Sequence, residues 1–309
     1  MATSAAQIEA LCDAWCAASK TPEGGMAIGG ATERHRLLAN GVVFYELDFD
    51  GLCAAITGTS RVLLRPGLNT VVSQDHFALW SWCAELLLSP RAGFFSRDQF
   101  EITALFETTV HAALASCRRP TQSREEWEAE NKRFELLPHH AKYFVEKSHL
   151  SLAYLGFPLL EAMTKRACSA YLDLSGNVVS KFSIPRKKGG TRSYNIGDQV
   201  SSLRDLLHLH YSLVAKPELS NRISKLRSHV SELDSSQDPF DIVYAWRNES
   251  LHGSANFQTI GGTLLNWSLL ISLSELEASF EKHREVVLKH CQWELQSSFR
   301  SSWSFYPPY

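Results

Sequence analysis

The chain has 309 residues, of which 44% are hydrophobic and 21% charged. Those proportions exclude a wholly disordered, collagenous or coiled-coil polypeptide. A formal net charge of −2 excludes binding of nucleic acid by bulk positive charge and leaves room only for a local basic patch.

The seven cysteines (Cys12, Cys16, Cys53, Cys83, Cys117, Cys168 and Cys291) are scattered, odd in number and free of any C-x-x-C pair. Neither a disulfide framework nor a zinc ribbon is expected from them. His208 and His210 are two residues apart and His139 adjoins His140, so neither pair has the helical spacing of metal ligands. No metal and no cofactor are expected. Glu9 and Asp13 stand where a signal peptide would be apolar, and no apolar run approaches the roughly 18 residues of a membrane span. The expectation is a soluble, cytoplasmic protein without membrane contact.

In chain order, Ile8, Leu11, Cys12 and Trp15 fall at helical spacing and predict a first helix. The glycine-rich run from Gly24 to Gly30 lacks the G-K-[ST] ending of a phosphate loop and reads as a connector. Val42 to Tyr45 and Arg61 to Leu64 fit short strands or pieces of helix. Gln74 to Cys117 is helical in pattern, interrupted at Ser89 to Gly93, with Ser96 or Asp98 as a cap. Charges crowd together from Arg118 to Lys147, with Pro120 and Pro138 as punctuation, which marks a boundary. The expected organisation is a mainly α chain in three parts. Residues 1–135 form a helical or α+β region without an assigned task, 136–292 a helical bundle, and 293–309 an aromatic tail.

Within the second part, Leu152, Leu155, Leu159, Met163 and Ala170 share a helical face. Gly176 to Gly197 is polar and glycine-containing and reads as a loop. A helix is predicted from Asp198 to Val214. Asp238 and Pro239 form an N-cap and first-turn proline that open another helix, and a last long one spans Thr263 to His290.

The helix after Pro239 carries the informative constellation. Phe240, Val243, Tyr244 and Leu251 cluster on one face, and Arg247 falls inside that apolar stripe. A guanidinium stays charged, and burying it unpaired is very costly. The stripe must therefore open at Arg247 onto a cleft, an acidic partner or another subunit. His252 lies five residues on, before Gly253, which permits a loosened helix end. An arginine can hold a phosphate bidentately and a histidine can exchange a proton near neutral pH. Attack of a ribose 2′-hydroxyl on its adjacent phosphate needs those two roles and no metal.

Arg247-Asn248-Glu249-Ser250-Leu251-His252 resembles the R-x4-H motif of HEPN-domain proteins. Ala153 to Glu161 is similar to that family's first long helix, and Asp238 to Trp246 to the approach to its motif. The resemblance covers roughly residues 140–292, about half of the chain. It implies a helical domain that forms a homodimer, so that two motifs meet in one cleft. It implies a metal-independent endoribonuclease that leaves cyclic-phosphate and 5′-hydroxyl ends, as recurs in toxin–antitoxin, abortive-infection and anti-phage systems. The partners implied are an RNA substrate and an antitoxin or phage-derived trigger. The alternative is a non-catalytic HEPN-like module that binds RNA or protein. One subgroup has a tyrosine two residues after the histidine; Ser254 stands there in this chain, which argues against that subgroup's nucleotidyltransferase partnership.

Under the resemblance Arg247 binds the scissile phosphate, His252 acts as general base or acid, and Asn248 orients the phosphate or caps the helix. Glu161 pairs with Arg247 or faces the dimer. Between Asn177 and Gly197 lie five basic residues, Lys181, Arg186, Lys187, Lys188 and Arg192, and no acidic one. With Phe182 and Tyr194 interleaved, this stretch is expected to track an RNA backbone while an aromatic ring stacks on a base.

Overall fold

A serine followed three residues later by a glutamine starts the first helix. Ser4 accepts from the Gln7 backbone N–H, and the Gln7 side chain accepts from the Ser4 N–H. This reciprocal cap satisfies two donors that would otherwise be orphaned. The computed structural model describes residues 3–19, 23, 30–64, 74–89, 91–117, 121, 123–187, 189–251 and 257–296. The first half holds α1 (Ala5–Ala18), α2 (Gly30–Glu33), α3 (Phe49–Leu64), α4 (Gln74–Leu88), α5 (Phe100–Ala115), α6 (Arg124–Glu135) and α7 (His139–Glu146). The second holds α8 (Ser148–Ala167), a hairpin of β1 (Phe182–Pro185) and β2 (Thr191–Tyr194), then α9 (Leu203–Leu209), α10 (Pro217–Ser231), α11 (Pro239–Leu251), α12 (Phe257–Ser274) and α13 (Phe280–Gln296). The fold is mainly helical, as the periodicity predicts. Among the described residues no helix is long and apolar enough to cross a membrane.

Helix α12 is central. From Thr259 to Leu273 every residue is buried, the mark of a helix surrounded on all sides. It packs most extensively on α8 and also on α3, α4, α5 and α10. Two adjacent glycines allow this. A methyl group on Gly261 would lie 2.7 Å from Leu152 Cγ and 2.8 Å from the Ala153 backbone nitrogen, and one on Gly262 would lie 2.6 Å from a Leu63 methyl. The buried amide on this helix is satisfied: Asn266 accepts from Trp80 Nε1 at 2.6 Å and donates to Ser60 Oγ at 2.8 Å and to Ile56 O at 3.2 Å.

The regions expected at 1–135 and 136–292 share one hydrophobic core, which runs from Ile8 to Cys291 and includes residues of both. Arg222 of α10 also pairs with Glu9 of α1 and Asp50 of α3, and Arg166 of α8 pairs with Glu275 and donates to Phe94 O at 3.0 Å. Within the charged stretch, α6 and α7 bury no residue, so residues 123–147 are a surface passage between helices of one core.

Of the two readings open for the short apolar runs, the helical one holds: Phe44 and Tyr45 are in a 3₁₀ turn at Phe44–Glu46, and Arg61 to Leu64 end α3. Two local expectations change. The helix expected at 198–214 is α9 followed by a π-helical turn, closed by Ala215 N donating to His210 O at 2.8 Å. The helix expected at 263–290 is two helices, α12 and α13, joined through a 3₁₀ turn at Glu277–Ser279. Ser274 Oγ donates to the Ile271 carbonyl at 2.6 Å, and such back-bonding competes with continuation of the helix. The Gly24 to Gly29 run and the aromatic tail from Trp303 to Tyr309 lie outside the described residues.

Two stability predictions follow from this packing. Replacing glycine by alanine in a helix ordinarily stabilises by about 1 kcal/mol. Gly261→Ala should instead destabilise by about 1–3 kcal/mol, because backbone of α8 blocks the new methyl group. Urea unfolding gives the sign directly. Burial also pushes the His76 pKa down to about 4, opposed by its contact with Thr59 O, and burial pushes His210 down to about 4. Folded-state values below the unfolded value near 6.5 mean that both rings are neutral in the native protein. Their stabilisation is complete above about pH 6.5 and is lost as pH falls towards 4, at about 1.4 kcal/mol per pH unit for each ring. Unfolding midpoints measured from pH 7 to 4.5 should show this slope, and His210→Gln should reduce it.

Candidate functional site

Asp238 and Pro239 set the start of α11. The Asp238 carboxylate accepts from Phe240 N at 2.9 Å, and Pro239 occupies the first turn, where its missing N–H costs nothing. The helix then buries Phe240, Ile242, Val243 and Trp246. Phe240 lies edge-on to His208 at 4.8 Å and tilted against Trp267 of α12 at 5.6 Å. Tyr244 and Arg247, three residues apart, occupy the margin of this face and are each about 37% exposed.

The acidic partner of Arg247 is Glu161. Arg247 Nη1 lies 3.7 Å from Glu161 Oε2, while Glu161 Oε1 holds Lys165 Nζ at 2.8 Å. At 3.7 Å the arginine contact is an ion pair and too long for a hydrogen bond. Arg247 donates no hydrogen bond to another described residue. A second tie fixes the same helix end: Tyr154 of α8 donates its hydroxyl to the Ser250 carbonyl at 2.9 Å. That carbonyl is among the last four of α11 and has no partner within the helix. Helix α8 therefore positions both the guanidinium and the turn that leads to the next motif residue. Asn248 is exposed, inside α11 and beside Arg247. His252 lies outside the described residues, as does Lys188.

The segment 176–197 is a hairpin rather than a loop. Phe182 pairs with Tyr194 and Ile184 with Arg192 in an antiparallel register. Alternation along β1 places Phe182 and Ile184 inward, where they join Leu172, Val200, Leu206 and Leu209 in a small second core. The two aromatics expected to stack on bases are instead stacked on each other at 4.9 Å and buried. Tyr194 also donates its hydroxyl to Asp205 Oδ2 at 2.7 Å, and burial together with that carboxylate raises its pKa. Polar composition hid a strand whose apolar residues number only two.

The basic residues divide by their partners. Lys181, Arg186, Lys187 and Arg192 are all exposed. Arg192 is held by Asp205 at 3.1 Å with its guanidinium over the Tyr194 ring at 4.7 Å. Arg186 and Lys187 form no ion pair with any described residue. Both border a cleft of about 620 Å³, whose wall on the α11 side is Tyr244. Lys181 lies away from it, at the far end of β1.

Beneath the cleft is a buried ion network that sequence reading missed. Arg204 Nε donates to Asp241 Oδ1 at 2.7 Å; its Nη1 donates to Asp205 Oδ1 at 3.1 Å and to Pro185 O at 2.9 Å. One guanidinium thus joins α9, α11 and the end of β1. The sequence signal was an arginine inside the apolar stripe of α9, the same signal that singled out Arg247. Among the described residues no group of three His, Cys, Asp or Glu side chains is placed to hold a metal ion.

Compared with family models, with curated proteins and with solved structures, the chain matches none.

Removing one member of a buried ion network strands the charge that remains. Asp241→Ala should lower unfolding stability by about 3 kcal/mol. It should also open the bond between residues 186 and 187 to trypsin, since Arg204 then loses its tie to α11. Unchanged proteolysis would show that the hairpin is held by its own core alone.

Proposed function

We propose that this chain is a HEPN-type endoribonuclease that cleaves RNA by 2′-hydroxyl attack without a metal ion, in growth arrest or anti-phage defence. The observation that carries the reading is Arg247: a half-exposed guanidinium oriented by Glu161 yet making no hydrogen bond with another described residue. Its donors are available to the oxygens of a phosphate, which arginine binds in a fork.

In the proposed reaction the O2′–P bond forms and the P–O5′ bond breaks. His252 removes the 2′ proton or supplies the proton to the departing 5′ oxygen. Arg247 neutralises charge that develops on the phosphoryl oxygens, and Glu161 is its positioning residue. Asn248, exposed beside Arg247, donates a further hydrogen bond to the phosphate. A second copy of the chain would bring a second motif to the same cleft and supply the complementary proton transfer. An antitoxin or phage-derived trigger would act by covering or exposing that cleft.

The test is cleavage of a labelled RNA by purified protein with EDTA present. Wild type should produce 2′,3′-cyclic-phosphate and 5′-hydroxyl ends. Arg247→Ala and His252→Ala should each reduce the rate by about 10²-fold or more, the usual loss when a group stabilising transition-state charge or moving a proton is removed. Equal rates in wild type and both variants would overturn the assignment. RNA binding that survives without cleavage in the wild type would favour the non-catalytic module.

A further inference from the structure

The cleft between the hairpin and α11 offers two kinds of surface. On one side are Arg186 and Lys187, exposed and without an ion-pair partner among the described residues. On the other is Tyr244, whose partly exposed ring forms the wall. The Tyr244 hydroxyl has no hydrogen bond with a described residue. Its volume of about 620 Å³ is within the range of sites that enclose a small organic ligand. Arg204 fixes the two walls relative to one another through Asp241 on α11 and Pro185 on β1. Tyr244 and Arg247 are neighbours on one helix, about 4.5 Å apart along its axis.

From this arrangement we infer that the hairpin–α11 cleft holds an unpaired nucleotide of an RNA strand, with its base stacked on Tyr244 and its phosphate against Arg186 and Lys187. The inference rests on the ribonuclease reading for the identity of the polyanion, and it assigns Tyr244 the stacking role for which the sequence suggested Phe182 and Tyr194. A base inside a duplex has both faces covered by its neighbours, so a stacking wall selects single-stranded RNA. The two cations act through counterion release and are indifferent to base identity. Arg192 contributes less than either, because Asp205 already neutralises it.

The experiment measures binding of a fluorescent single-stranded oligoribonucleotide and of its duplex to full-length Arg247→Ala protein, so that cleavage does not intervene. The single strand should bind more tightly than the duplex. Adding Tyr244→Ala should weaken single-strand binding about tenfold, and Tyr244→Phe should restore most of it. Arg186→Ala with Lys187→Ala should weaken binding and flatten its dependence on salt concentration by about two phosphate contacts. Circular dichroism and the unfolding midpoint identify any variant that fails to fold, and Tyr244→Phe controls for such a loss. Equal affinities for Tyr244→Ala and Tyr244→Phe, or a preference for duplex, overturn the inference. The ribonuclease reading fails on a different measurement, the absence of cleavage by wild type, so the two failures are separable.

Discussion

The close approach of α12 to α8 governs the rest of the structure. Gly261 brings the α12 backbone against Leu152 and Ala153, a separation that any side chain would enlarge. Because α12 is buried on every side, each neighbouring helix takes its position from it. Close packing leaves those neighbours little freedom to adjust independently. Helix α8 is held on one side by this contact and presents Tyr154 and Glu161 to α11. The placement of Arg247 is therefore inherited from a glycine on another helix.

Two arginines with opposite fates show how charge is used around α11. Arg204 is buried and spends its donors on Asp241, Asp205 and Pro185 O. It can act as a structural tie because its desolvation is offset by paired carboxylates and a backbone oxygen. Arg247, on α11 itself, lies at the margin of that helix's buried face and has one loose ion pair among the described residues. Its charge is oriented but not consumed, which suits a group that must engage a ligand. The same distinction separates Arg192, paired with Asp205, from Arg186 and Lys187, which have no ion-pair partner among the described residues.

What was legible in the sequence depended on how much apolar pattern each element carries. Helices with long stripes, such as α1, α5 and α8, and the Asp-Pro start of α11 were readable because local spacing and caps decide them. The hairpin was not, since its four-residue strands carry few inward-facing apolar side chains. Phe182 and Tyr194 looked like exposed binding groups for the same reason, although they make the hairpin's own core. The break between α12 and α13 was hidden by apolar residues that continue at helical spacing through Leu276 and Phe280. At the site, the pairing of Glu161 with Arg247 was one of several readings open to the sequence, beside a dimer-facing or a solvated glutamate. Tyr244 had been placed in the apolar stripe, where its partial exposure could not be seen. Arg204 could have been noticed, because a buried arginine in an apolar stripe requires an acidic partner and Asp241 lies in the next motif.

A net charge of −2 is compatible with this arrangement because charges that are already paired contribute little to a ligand's attraction. Most basic side chains of the second half are committed: Arg166 to Glu275, Arg222 to Glu9 and Asp50, Arg227 to Asp238, Lys165 to Glu161. Those pairs hold helices together and cancel at distances beyond about 10 Å in physiological salt. Among the described residues of the second half, Lys181, Arg186 and Lys187 at the hairpin and Lys282 on α13 form no ion pair. A local field of this kind needs only a small imbalance, provided that the surrounding charges cancel one another. The extensive ion pairing elsewhere among the described residues thus leaves Arg186 and Lys187 as the cations at the cleft without an ion-pair partner, with Arg247 one turn of α11 from Tyr244.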